Sequence, residues 1–184
     1  MRAEPPLGFF IWIENTAISE WVRGTPSLWG FPFILYLHTL GLALIAGLSS
    51  AVALSILFLP ASFPHSPLVR LFPLMWTGLA INILSGLALL AAYPAKALTN
   101  PVFYVKLIAV AAAVGIVRWL QGQLPAINSS AAGAAGGSAS VRTDARLTRA
   151  AWALLGLWVL ATVTGRFLAY THSILMARDS TNFF

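Results

Sequence analysis

Four long apolar segments, broken by short clusters of proline, serine and arginine, dominate the hydrophobic pattern of the chain. They run over about residues 29–59, 71–93, 101–120 and 149–177. Each is near the roughly 20 residues that a helix needs to cross the hydrocarbon core of a bilayer. Proline marks the boundaries: Pro60 closes the first span, Pro94 the second, and Pro101 opens the third. In front of them, over residues 8–22, Phe10, Ile13, Ala17 and Trp21 recur at helical spacing, while Glu14, Asn15 and Glu20 fall elsewhere on the wheel. That stretch is too short to span and rich in tryptophan, the pattern of a helix lying in the interface. Between the third and fourth spans, residues 121–148 contain an Ala/Gly/Ser-rich low-complexity tract that reads as a flexible linker. The expected fold is therefore all-α, a single transmembrane domain over 1–184. It is an integral membrane four-helix up-down bundle preceded by an interfacial amphipathic helix.

Composition agrees with a bilayer environment. Of the 184 residues 59% are hydrophobic and 9% charged, and mean hydropathy is +0.82, where globular chains carry about 25% charged residues. The chain has no cysteine, which excludes disulfides, thiolate-bound zinc, iron–sulfur clusters and covalent haem attachment. The net charge of +6 comes from basic residues scattered at span ends, with no cluster for nucleic acid. The first residues, Met1 to Pro6, lack the basic start and apolar run of a cleavable signal peptide. Four spans place both termini on one side, with Arg2, Arg23, Lys96 and Arg178; the other side carries Arg70, Arg118, Arg142, Arg146 and Arg149. Counting Lys and Arg puts the second side in the cytoplasm. The termini are then periplasmic, and the expected location is a bacterial inner membrane.

Within the spans, ionisable side chains are costly and are functional hypotheses by default. At about 1.5 Å per residue, His38 lies roughly 10 Å inside the start of span one and Lys106 roughly 8 Å inside Pro101. By the same rise, His172 lies roughly 9 Å inside Arg178. All three depths are measured from the terminal side. Tyr36, Tyr104 and Tyr170 are near that level, and Arg166 is about one and a half turns deeper than His172. Two histidines on antiparallel helices at one depth suit the two axial positions of a b-type haem. Lys106 and Arg166 could meet its propionates. Gly41 and Gly165, on the faces of the two histidines, would leave room for a flat macrocycle. Against this stands the plain reading that a membrane histidine is an interhelical hydrogen-bond partner and a lysine near a span end snorkels. His65, in the Pro-rich connector at the opposite face, is read as merely solvated.

Other readings use the same residues. Met176, four positions after His172 on the same helix face, would make a thioether–imidazole set for copper, with His38 and His172 as the metal ligands. Proton or small-solute transport would use His38, Lys106 and Arg166 as relay groups. Small residues at four-residue spacing, Ala43 and Gly47 in span one and Gly78, Asn82 and Gly86 in span two, point to close helix packing. Asn82 is expected to bond between helices.

Three stretches carry a family resemblance: His38-Thr39-Leu40-Gly41-Leu42-Ala43-Leu44-Ile45-Ala46-Gly47, Trp76-Thr77-Gly78, and Asn100-Pro101-Val102-Phe103-Tyr104-Val105-Lys106-Leu107. They resemble an uncharacterised family of small bacterial inner-membrane proteins over about residues 8–120. More distantly, the chain is similar to the copper-resistance protein D group and to the bacterial membrane protoporphyrinogen oxidases. The latter resemblance implies haem binding that depends on a first-span histidine and a third-span lysine, the positions of His38 and Lys106. Those oxidases carry a further histidine at the end of span one, where this chain reads Leu54-Ser55-Ile56-Leu57-Phe58, so porphyrinogen oxidation does not carry over. The combined expectation is a non-catalytic haem b subunit or anchor for electron transfer. It would work with a membrane or periplasmic redox partner or a second copy of itself, and quinone is compatible. Copper handling and a cofactor-free assembly role are the alternatives.

Overall fold

The computed structural model describes residues 16–17, 20–21, 29–59, 66–98, 100–134 and 145–180, the backbone alone at 66–67, 95–96, 125–134 and 169–180. Four long helices make up the fold: α1 (Phe31–Phe58), α2 (Phe72–Ala92), α3 (Pro101–Ala134) and α4 (Ala145–Ser180). Single turns at Ser66–Val69 and Pro94–Leu98 join the ends of neighbouring helices. No described residue lies in a strand. Each helix contains an apolar stretch long enough to cross a bilayer: Phe31–Phe58, Phe72–Ala92, Pro101–Leu124 and Ala145–Leu168. The chain is a multi-pass, all-α membrane bundle.

Proline sets where the helices begin. Pro32 and Pro73 occupy the first helical turn of α1 and α2, and Pro101 opens α3. There a missing N–H costs nothing and the fixed φ is already helical. Asn100 caps α3, its side-chain oxygen accepting from the Val102 N–H at 2.9 Å.

Two boundaries differ from the pattern read along the chain. Helix α3 continues through Ala134 instead of stopping near Leu120, and α4 already begins at Ala145 and runs to Ser180. The first half of the low-complexity tract is rich in alanine, the strongest helix former, so it prolongs a helix that the membrane has already nucleated. Of the lead-in segment 8–22, the described part shows one helical hydrogen bond, Glu20 N–H to Thr16 carbonyl at 2.9 Å. The remainder lies outside the described residues.

The buried seams mix apolar side chains with small and polar residues, while large apolar side chains also cover the outside. The buried stripe of α1 is Gly41, Ile45, Ser49, Val52, Ala53 and Ser55, and that of α2 includes Met75, Gly78, Asn82 and Ser85. Leu84 and Ile108 point outward. Lipid gives no hydrophobic drive for helices to associate, so close contact and hydrogen bonds hold them. Buried hydroxyls bond back along their own helix, Ser49 to the Ile45 carbonyl at 2.6 Å and Thr164 to Leu160 at 2.7 Å, so these two are not left bare in the apolar medium.

α1 packs against α2 and α4, and α3 packs against α4. At the α1–α2 crossing the backbones touch: a Cβ on Gly41 would stand 2.6 Å from the Asn82 nitrogen and 2.7 Å from the Gly78 oxygen. Ala43 and Gly47 are not the packing pair of span one. Ala43 is exposed, and a Cβ on Gly47 would have nothing within 4 Å. The seam lies two positions away, on the stripe of Gly41 and Ile45. Trp158 of α4 donates its indole N–H to Ser49 of α1 at 2.8 Å. Trp76 of α2 donates to Gln121 of α3 at 3.2 Å.

Candidate functional site

His38 sits where four helices meet. Its Nδ1 is 3.0 Å from the backbone carbonyl of Asn82 and 3.2 Å from the Ser85 hydroxyl oxygen. A carbonyl can only accept, and the Ser85 hydroxyl donates to Ile81 at 2.6 Å, so Nδ1 carries the hydrogen and shares it between the two oxygens. Asn82 closes the clasp in the other direction, its amide donating to the His38 carbonyl at 2.8 Å. The expectation that Asn82 bonds between helices holds.

Gly86 makes this geometry possible. A Cβ there would lie 3.1 Å from Cε1 and 3.4 Å from Nδ1 of His38, and Gly86 sits one turn beyond Asn82. Without that methyl group the imidazole lies against α2 and reaches the Asn82 carbonyl. Ser85 and Gly86 are the site residues that sequence reasoning misses, since Gly86 reads there as a helix-packing residue. Their spacing from Asn82 along one face of α2 is the signal that points to them.

With Nδ1 protonated, Nε2 carries the lone pair. It faces Lys106 of α3, whose Nζ stands 3.4 Å away and donates to it. The lysine stem crosses α4 at Gly165, where a Cβ would meet Cε, Nζ and Cδ at 3.7, 3.8 and 3.9 Å. One polar chain therefore joins three helices, Asn82 and Ser85 on α2, His38 on α1 and Lys106 on α3, and the lysine stem packs against Gly165 of α4. Both ionisable groups are partly buried. No Asp or Glu occurs anywhere between Glu20 and Asp144, so the central spans offer Lys106 no carboxylate.

The structure thus brings together His38, Lys106 and Gly165, and leaves other expected residues apart. Gly41 faces α2, and the room expected there for a macrocycle is filled by the backbone of Gly78 and Asn82. Tyr104 is exposed and donates to the Leu98 carbonyl at 2.9 Å, fastening the α2–α3 connection. Arg166 is exposed on α4 beside Gly165. The side chains of His172, Tyr170 and Met176 lie outside those described. The helix register still bears on His172, since α4 is continuous through it. Seven residues beyond Gly165 is about 10 Å further along the axis. Gly165 is the α4 position opposite the His38–Lys106 pair, and the His172 backbone stands two turns nearer the terminal side.

A haem needs a basic nitrogen on the iron and cations at its propionates. Nε2 of His38 could take one axial position and Lys106 a propionate once Nζ, which donates to Nε2 at 3.4 Å, moves aside. The described side chains supply no ligand for the opposite face of the ring. They contain no group of three His, Cys, Asp or Glu suited to a metal ion, and none adds a copper ligand to His38. The apolar seam lined by Ser49, Val52, Phe72, Met75, Val117, Leu120 and Leu154, in the other half of the bundle, is closed, with about 0 Å³ of internal space.

These features define a class: a small all-α membrane bundle with a shared His–Lys pair at its centre. In comparisons with protein-family models, curated proteins and solved structures, nothing matches the chain.

Proposed function

We propose that this protein is a membrane haem b-binding subunit for electron transfer, with His38 as the axial ligand on one face of the ring. The observation that carries the reading is the tautomer of His38. Its Nδ1–H is committed to the Asn82 carbonyl at 3.0 Å, leaving Nε2 as an oriented, basic nitrogen. A carbonyl on the second ring nitrogen is how proteins fix the tautomer and raise the basicity of a ligating imidazole. Lys106 swings from Nε2 to a propionate, with Arg166 as a second cation. The resemblance to haem-binding membrane oxidases through a first-span histidine and a third-span lysine supports the same assignment. When bound, the haem supplies a one-electron couple; the chain positions it, excludes water and balances its charge.

With almost all its apolar mass in the bilayer, the protein works with a membrane or periplasmic redox partner, or as a homo-oligomer, in the bacterial inner membrane. Quinone in the same bilayer is a suitable electron carrier. The exposed Arg70, Arg118 and Arg149 at one end favour that end as cytoplasmic under the positive-inside rule, and both termini as periplasmic.

The test is an optical spectrum of protein expressed with ample haem supply. A Soret band with reduced α and β bands, absent in His38→Ala, is the expected result. A colourless protein overturns the reading. It would promote the second one, which the polar chain through α1, α2 and α3 also favours: a cofactor-free assembly subunit in which His38 and Lys106 are interhelical ties.

A further inference from the structure

The pair at the centre of the bundle is reached from the side. On α2, Trp76, Ile83 and Leu87 share one face, being seven and eleven residues apart. Near the cytoplasmic end this side is closed: Phe72 is 2% exposed and Trp76 is bonded to Gln121 of α3. Further along, Ile83 is 51% and Leu87 57% exposed. Helix α3 repeats the pattern. Gln121 meets Trp76, while Leu107, fourteen residues earlier on nearly the same face, is 48% exposed. Trp76 and Gln121 tie the two helices at one end, and α2 and α3 share no interface comparable to those of α1 with α2 or α3 with α4. His38, lying against Gly86 of α2, bonds to Lys106 of α3, and both side chains are partly exposed.

From this geometry, and resting on the reading above, we infer that the gap between α2 and α3 is a lateral opening. Through it a bilayer-borne amphiphile carrying a carboxylate reaches Lys106 and His38. The walls are apolar and face lipid, which suits a hydrophobic ligand body and excludes a water-soluble one. The acidic head follows from charge: Lys106 is a cation with no Asp or Glu in any of the four spans, and a neutral imidazole is its one hydrogen-bond partner among the described residues. A carboxylate completes the pair by accepting from Nζ, which frees Nε2. Haem, a planar hydrophobic dicarboxylate, has this chemistry, and so does a long-chain fatty acid.

The absence of cysteine allows unique labels. Ile83→Cys and Leu107→Cys, alkylated with pyrene maleimide, place a bulky ring at the opening. Leu84→Cys, 69% exposed and about 100° round the helix, is the control. Reconstituted protein is mixed with vesicles preloaded with haemin and uptake is followed at the Soret band. Labels at Ile83 and Leu107 should slow uptake about tenfold and the label at Leu84 should leave it unchanged. Equal rates in all three overturn the lateral route. If the unlabelled protein takes up no haemin, the haem reading fails, and a photoreactive sixteen-carbon fatty acid in the same vesicles tests the opening alone. Adducts on residues 83–87 and 103–110 that fall about tenfold in Lys106→Gln support it. Adducts elsewhere, or unchanged in Lys106→Gln, overturn it.

Discussion

Nε2 of His38 and Nζ of Lys106 stand 3.4 Å apart although 68 positions separate them in the chain. The contact exists because the third span enters from the same side as the first, and the lysine stem packs over Gly165 of α4.

Replacing the ammonium by an apolar group of similar length tests whether this contact is structural. Lys106→Met removes the donor to Nε2 and leaves the packing over Gly165. Interhelical hydrogen bonds in membranes are worth about 0.6 kcal/mol and up to ~1.7, so thermal unfolding in detergent, followed by helical circular dichroism, should show a loss in that range. In the haem-loaded protein the same substitution should weaken binding, while Lys106→Arg, which keeps the charge, should restore part of it. An unchanged haem affinity in Lys106→Met would remove Lys106 from the propionate role.

The close crossing of α1 and α2 makes a sharper prediction. A methyl group on Gly41 would meet backbone atoms at 2.6 and 2.7 Å, and one on Gly78 would meet the Leu44 Cβ at 2.5 Å. Backbone cannot step aside as a flexible side chain can, so the helices must separate. Overpacking of this kind costs about 1–3 kcal/mol. Gly47→Ala, with nothing within 4 Å, should instead be neutral or gain up to about 1 kcal/mol from helix propensity. Thermal unfolding of the three variants side by side checks the order.

The contrast between Gly41 and Gly47 also shows what the sequence can and cannot disclose. The existence of four spans, the all-α bundle and the shared depth of His38 and Lys106 follow from hydropathy and a constant rise per residue. Which small residue faces which neighbour depends on helix rotation, and a span that is apolar all round carries no moment to fix it. Ala43 and Gly47 fit the small-residue spacing as well as Gly41 does; only the packing tells them apart. His172 shows the other limit. Its depth along the sequence is reckoned from Arg178 near the end of α4, and hydropathy alone does not say which way its side chain faces across the bundle.

Gly86→Ala separates the tautomer of His38 from the fold. The added methyl would lie 3.1 Å from Cε1, and the imidazole rim must yield by a few tenths of an ångström, lengthening its bond to the Asn82 carbonyl. The expected outcome is a folded protein with a small stability loss, below about 1.5 kcal/mol for one modest rotamer shift. Nitrogen-15 spectra of His38 should then show mixed tautomers in place of one. Gly165→Ala, whose methyl would meet Lys106 at ordinary contact distance of 3.7 Å, should leave those spectra unchanged.

The register of α4 bears on whether one imidazole or two reach the iron. Nitrogens on opposite faces of one iron must lie at the same level, whereas the His172 backbone is about 10 Å along α4 from Gly165, the residue beside the Lys106 stem that bonds His38. A histidine side chain spans only part of that offset. We therefore expect His38→Ala to abolish the Soret band and His172→Ala to leave the haem bound with its spectrum unchanged. A high-spin spectrum in His172→Ala would put both imidazoles on the iron. It would also require α4 to be displaced by about two turns against α1 in the loaded protein. Such a slide would break the 2.8 Å bond from Trp158 to Ser49, so Trp158→Phe offers a second check. If the helix stays in register, removing that bond weakens the α1–α4 seam by the ~0.6 kcal/mol of one membrane hydrogen bond. If α4 has moved on loading, the substitution should destabilise the haem-free protein alone.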